Sequence, residues 1–177
     1  MEELVKRSID GDKAAFTEII HIIQSDLFRI AKSRLDNIED VNDAIQETMI
    51  IAYKSIKTLN NPYFFKTWII KILINECNKI YEKKNKKNTL FNKILKFKST
   101  QTRNYTDVSD IDNKVDINNL LDILNYNEKI CIILFYSNNY SINEIAEILN
   151  ISPNTVKSRI TRAKKKLKDK GGVANGT

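Results

Sequence analysis

The sequence predicts an all-α chain of two small helical domains joined by a flexible linker. Only 4 of the 177 residues are Gly and 2 are Pro, which leaves little of the turn material that a sheet protein needs. Apolar residues recur at intervals of three and four along most of the chain, and this spacing places them on one face of a helix. The predicted boundaries are a first domain at 1–85, a linker at 86–114, a second domain at 115–170 and a tail at 171–177.

The first two predicted helices are expected to form part of the hydrophobic core. A short apolar pattern runs from Leu4 to Ile9 and is broken at Gly11 and Asp12. A longer pattern then recurs at helical spacing through Ala15, Phe16, Ile19, Ile20, Ile23, Leu27 and Ile30.

A third helix, predicted from about Glu39 to Lys57, has one buried and one unusual outer face. Its buried stripe is Val41, Ala44, Ile45, Thr48, Ala52 and Ile56. The opposite side presents Asp43, Gln46, Glu47 and Ile50. An outward Ile among acidic residues is typical of a protein-binding patch, although an ordinary solvated face gives a similar pattern. The two carboxylates at i and i+4 lack the further ligands that a metal site needs.

A polar loop and a basic helix follow. Asn60, Asn61 and Pro62 predict a loop with exposed amides, which leads into the aromatic residues Tyr63 and Phe64. The helix predicted from Phe65 to about Lys84 buries Trp68, Ile69, Ile72, Leu73 and Ile80. Its other faces carry polar and basic residues that include Lys66, Lys71 and Asn75. This combination favours contact with single-stranded nucleic acid, in which unstacked bases can enter pockets.

The second domain is predicted to begin near Val115 with an amphipathic helix through Leu124, followed by an apolar helix over 128–136. Ser141 and Glu144 form a capping-box pattern before a short apolar stripe, and Ser152 and Pro153 predict the start of another helix. The last helix buries Val156, Ile160, Ala163 and Leu167, while its outer face carries hydrogen-bonding and basic residues. The pair predicts a helix-turn-helix that binds duplex DNA.

Charge is distributed in four blocks. Residues 61–105 hold 11 Lys or Arg against 2 Asp or Glu, and residues 151–177 hold 8 against 1. Residues 1–60 hold 8 against 11, and residues 106–150 hold 2 against 8. Two separated basic blocks predict two contacts with nucleic acid, and the acidic blocks predict surfaces kept off it or bound by a basic partner.

Several classes of protein are disfavoured by the remaining residues. No apolar run approaches the length of a membrane span and no signal peptide is recognisable, so a cytoplasmic protein is expected. Cys77 and Cys131 lie in apolar helical patterns and predict buried thiols, while a lone His21 makes zinc binding improbable. Neither a nucleophile–base pair nor a metal set can be assembled, so neither an enzyme nor a cofactor is expected.

Three stretches, taken in order, resemble the bacterial sigma-70 superfamily, and within it the small extracytoplasmic-function (ECF) sigma factors. Residues 43–56, DAIQETMIIAYKSI, resemble the region 2 helix that docks on core RNA polymerase. Residues 64–83 are similar to the next helix of region 2, and residues 141–167 to the helix-turn-helix of region 4. The pattern departs at Lys79 and Glu82, which suggest the family's helical ion pair with its charges exchanged.

The resemblance implies a role for each candidate residue. Core polymerase would be held by Asp43, Gln46, Glu47 and Ile50. The melted minus-10 promoter element would be contacted by Asn60, Asn61, Tyr63, Phe64, Lys66, Lys71 and Asn75. The minus-35 duplex would be contacted by Asn154, Lys157, Ser158, Arg159, Thr161 and Arg162. The linker, with Asp107, Asp110 and Asp112, would thread along the polymerase. The family also implies an anti-sigma factor that masks these surfaces.

The sequence also permits one function of a different class. A helix-turn-helix regulator with an N-terminal sensing or dimerisation domain would share residues 115–168. It would leave the acidic face around Ile50 and the basic aromatic helix unexplained.

Overall fold

The computed structural model describes residues 1–96, 121 and 123–173, with side chains for residues 1–84, 121 and 123–170. This part of the chain contains α-helices and no strand, which confirms the all-α prediction. The α-helices are α1 (Glu2–Ile9), α2 (Lys13–Lys32), α3 (Ile38–Ser55), α4 (Phe65–Lys96), α5 (Tyr126–Ile132), α6 (Ile142–Leu149) and α7 (Pro153–Val173). Short 3₁₀ turns lie at Ile56–Thr58 and Pro62–Phe64, and a π-helical turn at Ile133–Ser137.

The N-terminal bundle packs α1, α3 and α4 around α2. The predicted stripe of α2 is buried, apart from Ile20, which is partly exposed. Asp12 begins α2 by accepting a hydrogen bond from the backbone N–H of Ala15 at 3.0 Å, and Arg7 pairs with the same carboxylate at 2.6 Å. This cap satisfies one of the orphan N–H groups of the helix and fixes its start against α1.

The C-terminal unit is the predicted helix-turn-helix, preceded by α5. Ser141 and Glu144 form the predicted capping box at the start of α6, with bonds of 3.3 and 2.8 Å. Asn150 ends α6 in the left-handed conformation, with φ of 52°, so the chain turns sharply. Ser152 then caps α7 by accepting from the N–H of Thr155 at 3.1 Å. Behind α7, Val156, Ile160 and Ala163 are buried as predicted, and Leu167 is partly buried.

Two helix ends differ from the predictions. α4 continues to Lys96, so residues 86–96, predicted as the first part of the linker, are helical. This stretch contains neither Gly nor Pro, and its lysines and leucines are good helix formers, so nothing in it ends the helix. α7 likewise runs to Val173, into the predicted tail. Predictions for residues 97–120, including Asp107, Asp110 and Asp112, lie outside the described residues.

α4 buries two stripes where the sequence predicts one. Ile69, Leu73 and Cys77 are buried as predicted, but Ile70 and Ile74 are buried too. The second stripe is covered because α6 packs along α4 and joins the two units. Phe65 is the fully buried aromatic residue here, whereas Trp68, which was predicted to be core, is partly exposed. No described helix is both long and apolar enough to span a membrane.

Candidate nucleic-acid and protein interfaces

The outer face of α3 is an exposed acidic surface with an apolar centre. Asp43, Gln46, Glu47 and Ile50 are all exposed, and Ile50 shows 38% of its surface to solvent. The opposite side of the same helix is anchored by Val41, Ala44, Thr48 and Ala52, all fully buried. The structure therefore brings the four predicted residues together on one rigid face, available to a partner.

The loop after α3 presents two aromatic rings to solvent. Tyr63 is 67% exposed and Phe64 is 49% exposed, and their rings meet edge to face at 5.3 Å. Asn61 organises the loop, because its side-chain oxygen accepts from the backbone N–H of Tyr63 at 3.0 Å. Asn60 is exposed beside it. Exposed rings held by a local turn can receive an unstacked base by stacking.

The polar residues of α4 do not form one surface. At 100° per residue, Lys71 and Asn75 lie within about 40° of each other, whereas Lys66 lies about 140° or more from both. Lys66 instead borders a small space shared with Asp26 and Tyr140. Asn75 and Lys66 are exposed and Lys71 is half-buried.

The ion pair expected on α4 has a different partner. Lys79 Nζ is bonded to Glu76 Oε1 at 2.7 Å, and its partner is not Glu82. Both carboxylates lie three residues from Lys79, on opposite sides along the helix, so the spacing alone could not choose between them.

The outer face of α7 presents five of the six residues predicted to contact duplex DNA. The exposed five are Asn154, Lys157, Ser158, Thr161 and Arg162. Arg162 Nε donates to the carbonyl of Ser158 at 3.2 Å, which holds the guanidinium along the helix. Ser158 Oγ donates to the carbonyl of Asn154 at 2.9 Å, so its lone pairs remain available. This is the arrangement of a helix that enters the major groove with donors outward.

Arg159 is the exception on this helix. It is half-buried and borders a cavity of about 380 Å³ together with Arg34, Asn78 and Tyr126. Burial raises the pKa of the nearby Cys131 thiol, and the positive charge of Arg159 partly offsets that rise. Arg159 turns inward because its position on the wheel is only about 60° from the buried Val156.

Comparison with known proteins gives the family. The model of sigma-70 region 2 matches residues 19–87 and that of sigma-70 region 4 matches residues 114–167. The RNA polymerase sigma factor SigV of Bacillus subtilis is 32% identical over 157 residues, which is 88% of this chain and 90% of SigV. The ECF RNA polymerase sigma factor SigW of the same organism is 29% identical, over 95% of this chain and 97% of SigW. The chain is an ECF sigma factor of the sigma-70 family.

Two solved structures share the fold of this sigma factor. CnrH, solved in complex with the cytosolic domain of CnrY, superimposes with a TM-score of 0.69 at 20% identity and covers 97% of both chains. RpoE of Bartonella quintana, solved with the anti-sigma factor NepR, gives 0.66 at 20% identity, covering 87% of this chain and 94% of RpoE. Helices α2 to α4 thus correspond to region 2, and α5 to α7 to region 4.

Glu128 stabilises region 4, and the apolar patterns of the sequence do not single it out. Glu128, only 2% exposed, accepts from the backbone N–H of Asn125 at 3.2 Å and from Lys166 Nζ at 2.8 Å. Burial opposes its ionisation, but the two hydrogen bonds and the positive charges of Lys166 and Arg162 together outweigh burial and lower the pKa of the carboxyl. The bonds hold α7 against α5. The pattern Asn125-x-x-Glu128 is a capping box and could have been found.

The two regions meet at a polar and aromatic contact, hereafter the junction, made by Arg34, Asn78, Tyr81 and Tyr126. Arg34 Nη2 and Tyr126 Oη both donate to Asn78 Oδ1, at 2.5 and 3.0 Å. The guanidinium lies 3.8 Å from the centre of the Tyr126 ring, and Tyr81 stacks on that ring at 4.7 Å. Nothing local in the sequence indicates this contact, because its members come from the turn after α2, from α4 and from α5.

No metal or disulfide site is found in the described part of the chain. No group of three His, Cys, Asp or Glu residues there could hold an ion. Cys77 and Cys131 are free and buried, as predicted. Burial raises the pKa of the Cys77 thiol to about 11, so it stays protonated and unreactive at neutral pH.

Proposed function

We propose that this sigma factor directs promoter-specific transcription initiation by holding core RNA polymerase on one surface and reading the promoter with two others. The exposed face of α3 (Asp43, Gln46, Glu47 and Ile50) binds the polymerase. The loop at Asn60–Phe64, with Lys71 and Asn75, binds the melted minus-10 strand. Lys66 contacts the minus-10 DNA separately, from another face of α4. The outer face of α7 reads the minus-35 duplex.

One observation carries this proposal more than any other. The acidic face of α3, the aromatic loop and the basic face of α7 are each exposed, yet each is backed by fully buried residues of its own helix or by a local turn. Preorganised exposed groups lose little freedom on binding, which is what an interface requires. A plain helix-turn-helix regulator would use only the third surface.

The polymerase surface can be tested by reversing its charge. Asp43→Arg combined with Glu47→Arg should lower affinity for purified core polymerase at least tenfold, because two attractive contacts become repulsive. Binding is measured by the change in anisotropy of a labelled sigma factor. Unchanged affinity would reject the α3 assignment.

Glu18→Arg combined with Glu147→Arg provides the matched control. Both residues are exposed acids on α2 and α6, outside all three surfaces, and the net change in charge is the same. This variant should bind core polymerase like the unmodified chain. An equal loss of affinity in both variants would show that the effect comes from the overall charge of the chain and not from the α3 face.

We also propose an anti-sigma factor as regulator and the cytoplasm as the place of action. The support is by likeness, since CnrH is solved with CnrY and RpoE with the anti-sigma factor NepR. Such a partner would compete with core polymerase for the exposed faces.

A further inference from the structure

We propose that the cavity bordered by Arg34 and Arg159 binds a small phosphate monoester, with both guanidinium groups on the phosphate. The cavity has a volume of about 380 Å³ and lies where the turn after α2 meets α4, α5 and α7. Natural small-molecule pockets begin at about this size. The site gives the chain a small ligand in addition to its macromolecular partners, and the evidence for it is independent of the proposed function.

Arg34 is a buried cation for which the described residues supply no anion. It is only 7% exposed, it forms no ion pair with those residues, and its Nε has no hydrogen-bond partner. Burial lowers the pKa of Arg34, and the groups that oppose this shift are Tyr126, Cys77 and Cys131. All three are neutral at pH 7, whereas a guanidinium keeps its charge. A buried charge without a counter-charge is costly, so an anion bound here stabilises the site.

Further hydrogen-bond donors border the same cavity. Arg159 is half-buried and forms no ion pair with the described residues. Asn78 Oδ1 accepts from Arg34 Nη2 at 2.5 Å and from Tyr126 Oη at 3.0 Å. These two bonds fix the orientation of the amide and leave its N–H groups without a partner in the described part of the chain. Asn127 adds a second, exposed amide to the lining. The cavity thus offers several donors to one anion.

The charge and shape of the lining favour a phosphate that carries an apolar body. A phosphate monoester has a charge of about −1.5 to −2 at pH 7, which matches two guanidinium groups better than one carboxylate does. Ile74, Leu149 and Ile151 supply the apolar part of the lining. Tyr81, which is 42% exposed, adds an aromatic ring. Burial of an apolar or aromatic group against these residues would add affinity that inorganic phosphate cannot gain.

Two features of the cavity disfavour DNA as its ligand. Arg34 is too deeply buried for the backbone of a duplex to reach its guanidinium. Glu82 is the carboxylate in the lining, and it is exposed. Water screens its charge from the buried end of the cavity, but it would repel the further phosphates of a nucleic-acid chain. A ligand with a single phosphate avoids both obstacles.

The ligand class can be tested by isothermal titration calorimetry on the full-length chain in a buffer free of phosphate. Phenyl phosphate should bind with a Kd of about 1 mM or tighter, and inorganic phosphate at least about tenfold more weakly because it has no apolar body. Benzoate keeps the ring but carries a single charge, so it should also bind at least about tenfold more weakly. Equal affinity for benzoate and phenyl phosphate would overturn the choice of phosphate. No binding of phenyl phosphate would overturn the site.

Three variants locate the binding. Arg34→Met removes the buried charge at similar side-chain length, and Arg159→Met does so at a half-buried position where folding is less affected. Each should weaken phenyl phosphate at least about tenfold, with helix content by circular dichroism unchanged. Arg29→Met is the matched control, because Arg29 is exposed, pairs with Asp26 and does not line the cavity. Its affinity should equal that of the unmodified chain. Equal losses in all three variants would mean unspecific attraction by charge and would overturn the site.

The side-chain Nε–H resonances in ¹⁵N NMR spectra, assigned by their loss in the variants, give a second measurement. Phenyl phosphate should shift the resonances of Arg34 and Arg159 and leave that of Arg29 in place. A short DNA duplex that shifts the Arg34 resonance where phenyl phosphate does not would assign the cavity to DNA and overturn the proposal. None of these measurements involves polymerase. A chain that binds phenyl phosphate but not core polymerase would therefore reject the proposed function and support this site.

Discussion

Two basic residues of α7 are placed for different contacts with DNA, one to a base and the other to the phosphate backbone. Arg162 is exposed and held along the helix through its bond to the Ser158 carbonyl. Lys165 is exposed one turn further from the N-terminus and makes no hydrogen bond or ion pair with the described residues. A held guanidinium can donate two hydrogen bonds to one base, whereas a mobile ammonium supplies charge to phosphate.

The difference predicts two kinds of loss on mutation. Arg162→Ala should cost about 1 to 3 kcal/mol on the cognate minus-35 sequence and relax the preference at a single base position. Lys165→Ala should weaken binding to all DNA sequences alike and reduce the salt dependence of binding. The measurement is fluorescence anisotropy on cognate and scrambled duplexes over a range of salt. Parallel losses in both variants would contradict base reading by Arg162.

At the scale of elements, Glu128 determines how firmly the recognition helix is held. Its carboxylate serves the capping box of α5 and the Lys166 side chain of α7 together. Glu144 occupies the same position in the capping box of α6, but it is more exposed and pairs with no cation among the described residues. Comparing the two residues therefore separates the effect of the capping box, which both share, from that of the bond to Lys166, which Glu128 alone makes of the two.

Neutralising these residues should have unequal effects. Glu128→Gln should lower the free energy of unfolding by about 1 to 3 kcal/mol, and Glu144→Gln by less than about 1 kcal/mol. Because the pKa of Glu128 is lower in the folded state, its contribution is present above about pH 4.5 and is lost as the pH falls through the folded pKa. Urea titrations at pH 7 and pH 4 measure both effects. Equal losses would show that the Lys166 bond contributes nothing.

The elements themselves were largely predictable, for a physical reason. Helix stripes depend on neighbours three and four residues away, so the buried faces of α2, α3 and α7 follow from local spacing. The run of lysines and asparagines after Lys84 predicts a linker, but its residues also favour a helix, and α4 continues to Lys96. The family pattern implies a DNA contact for Arg159, whereas its angle on the helix turns its side chain towards the interior.

In the whole molecule, the junction is the feature that no local sequence pattern indicates. Arg34 and Tyr126 are far apart in the chain, and their contact depends on how two helical units pack. The unexpected burial of Ile70 and Ile74 has the same origin, because α6 packs on α4. Local patterns specify each region, and long-range packing specifies their arrangement.

The most direct test of the account is run-off transcription with core polymerase on a fragmented genomic library, followed by sequencing of the start sites. The start sites should depend on this sigma factor and share two upstream motifs at a fixed spacing. Arg162→Ala should alter only the upstream motif, and Tyr63→Ala should reduce use of the downstream one. Start sites indistinguishable from those of core polymerase alone, or a single shared motif, would contradict the account.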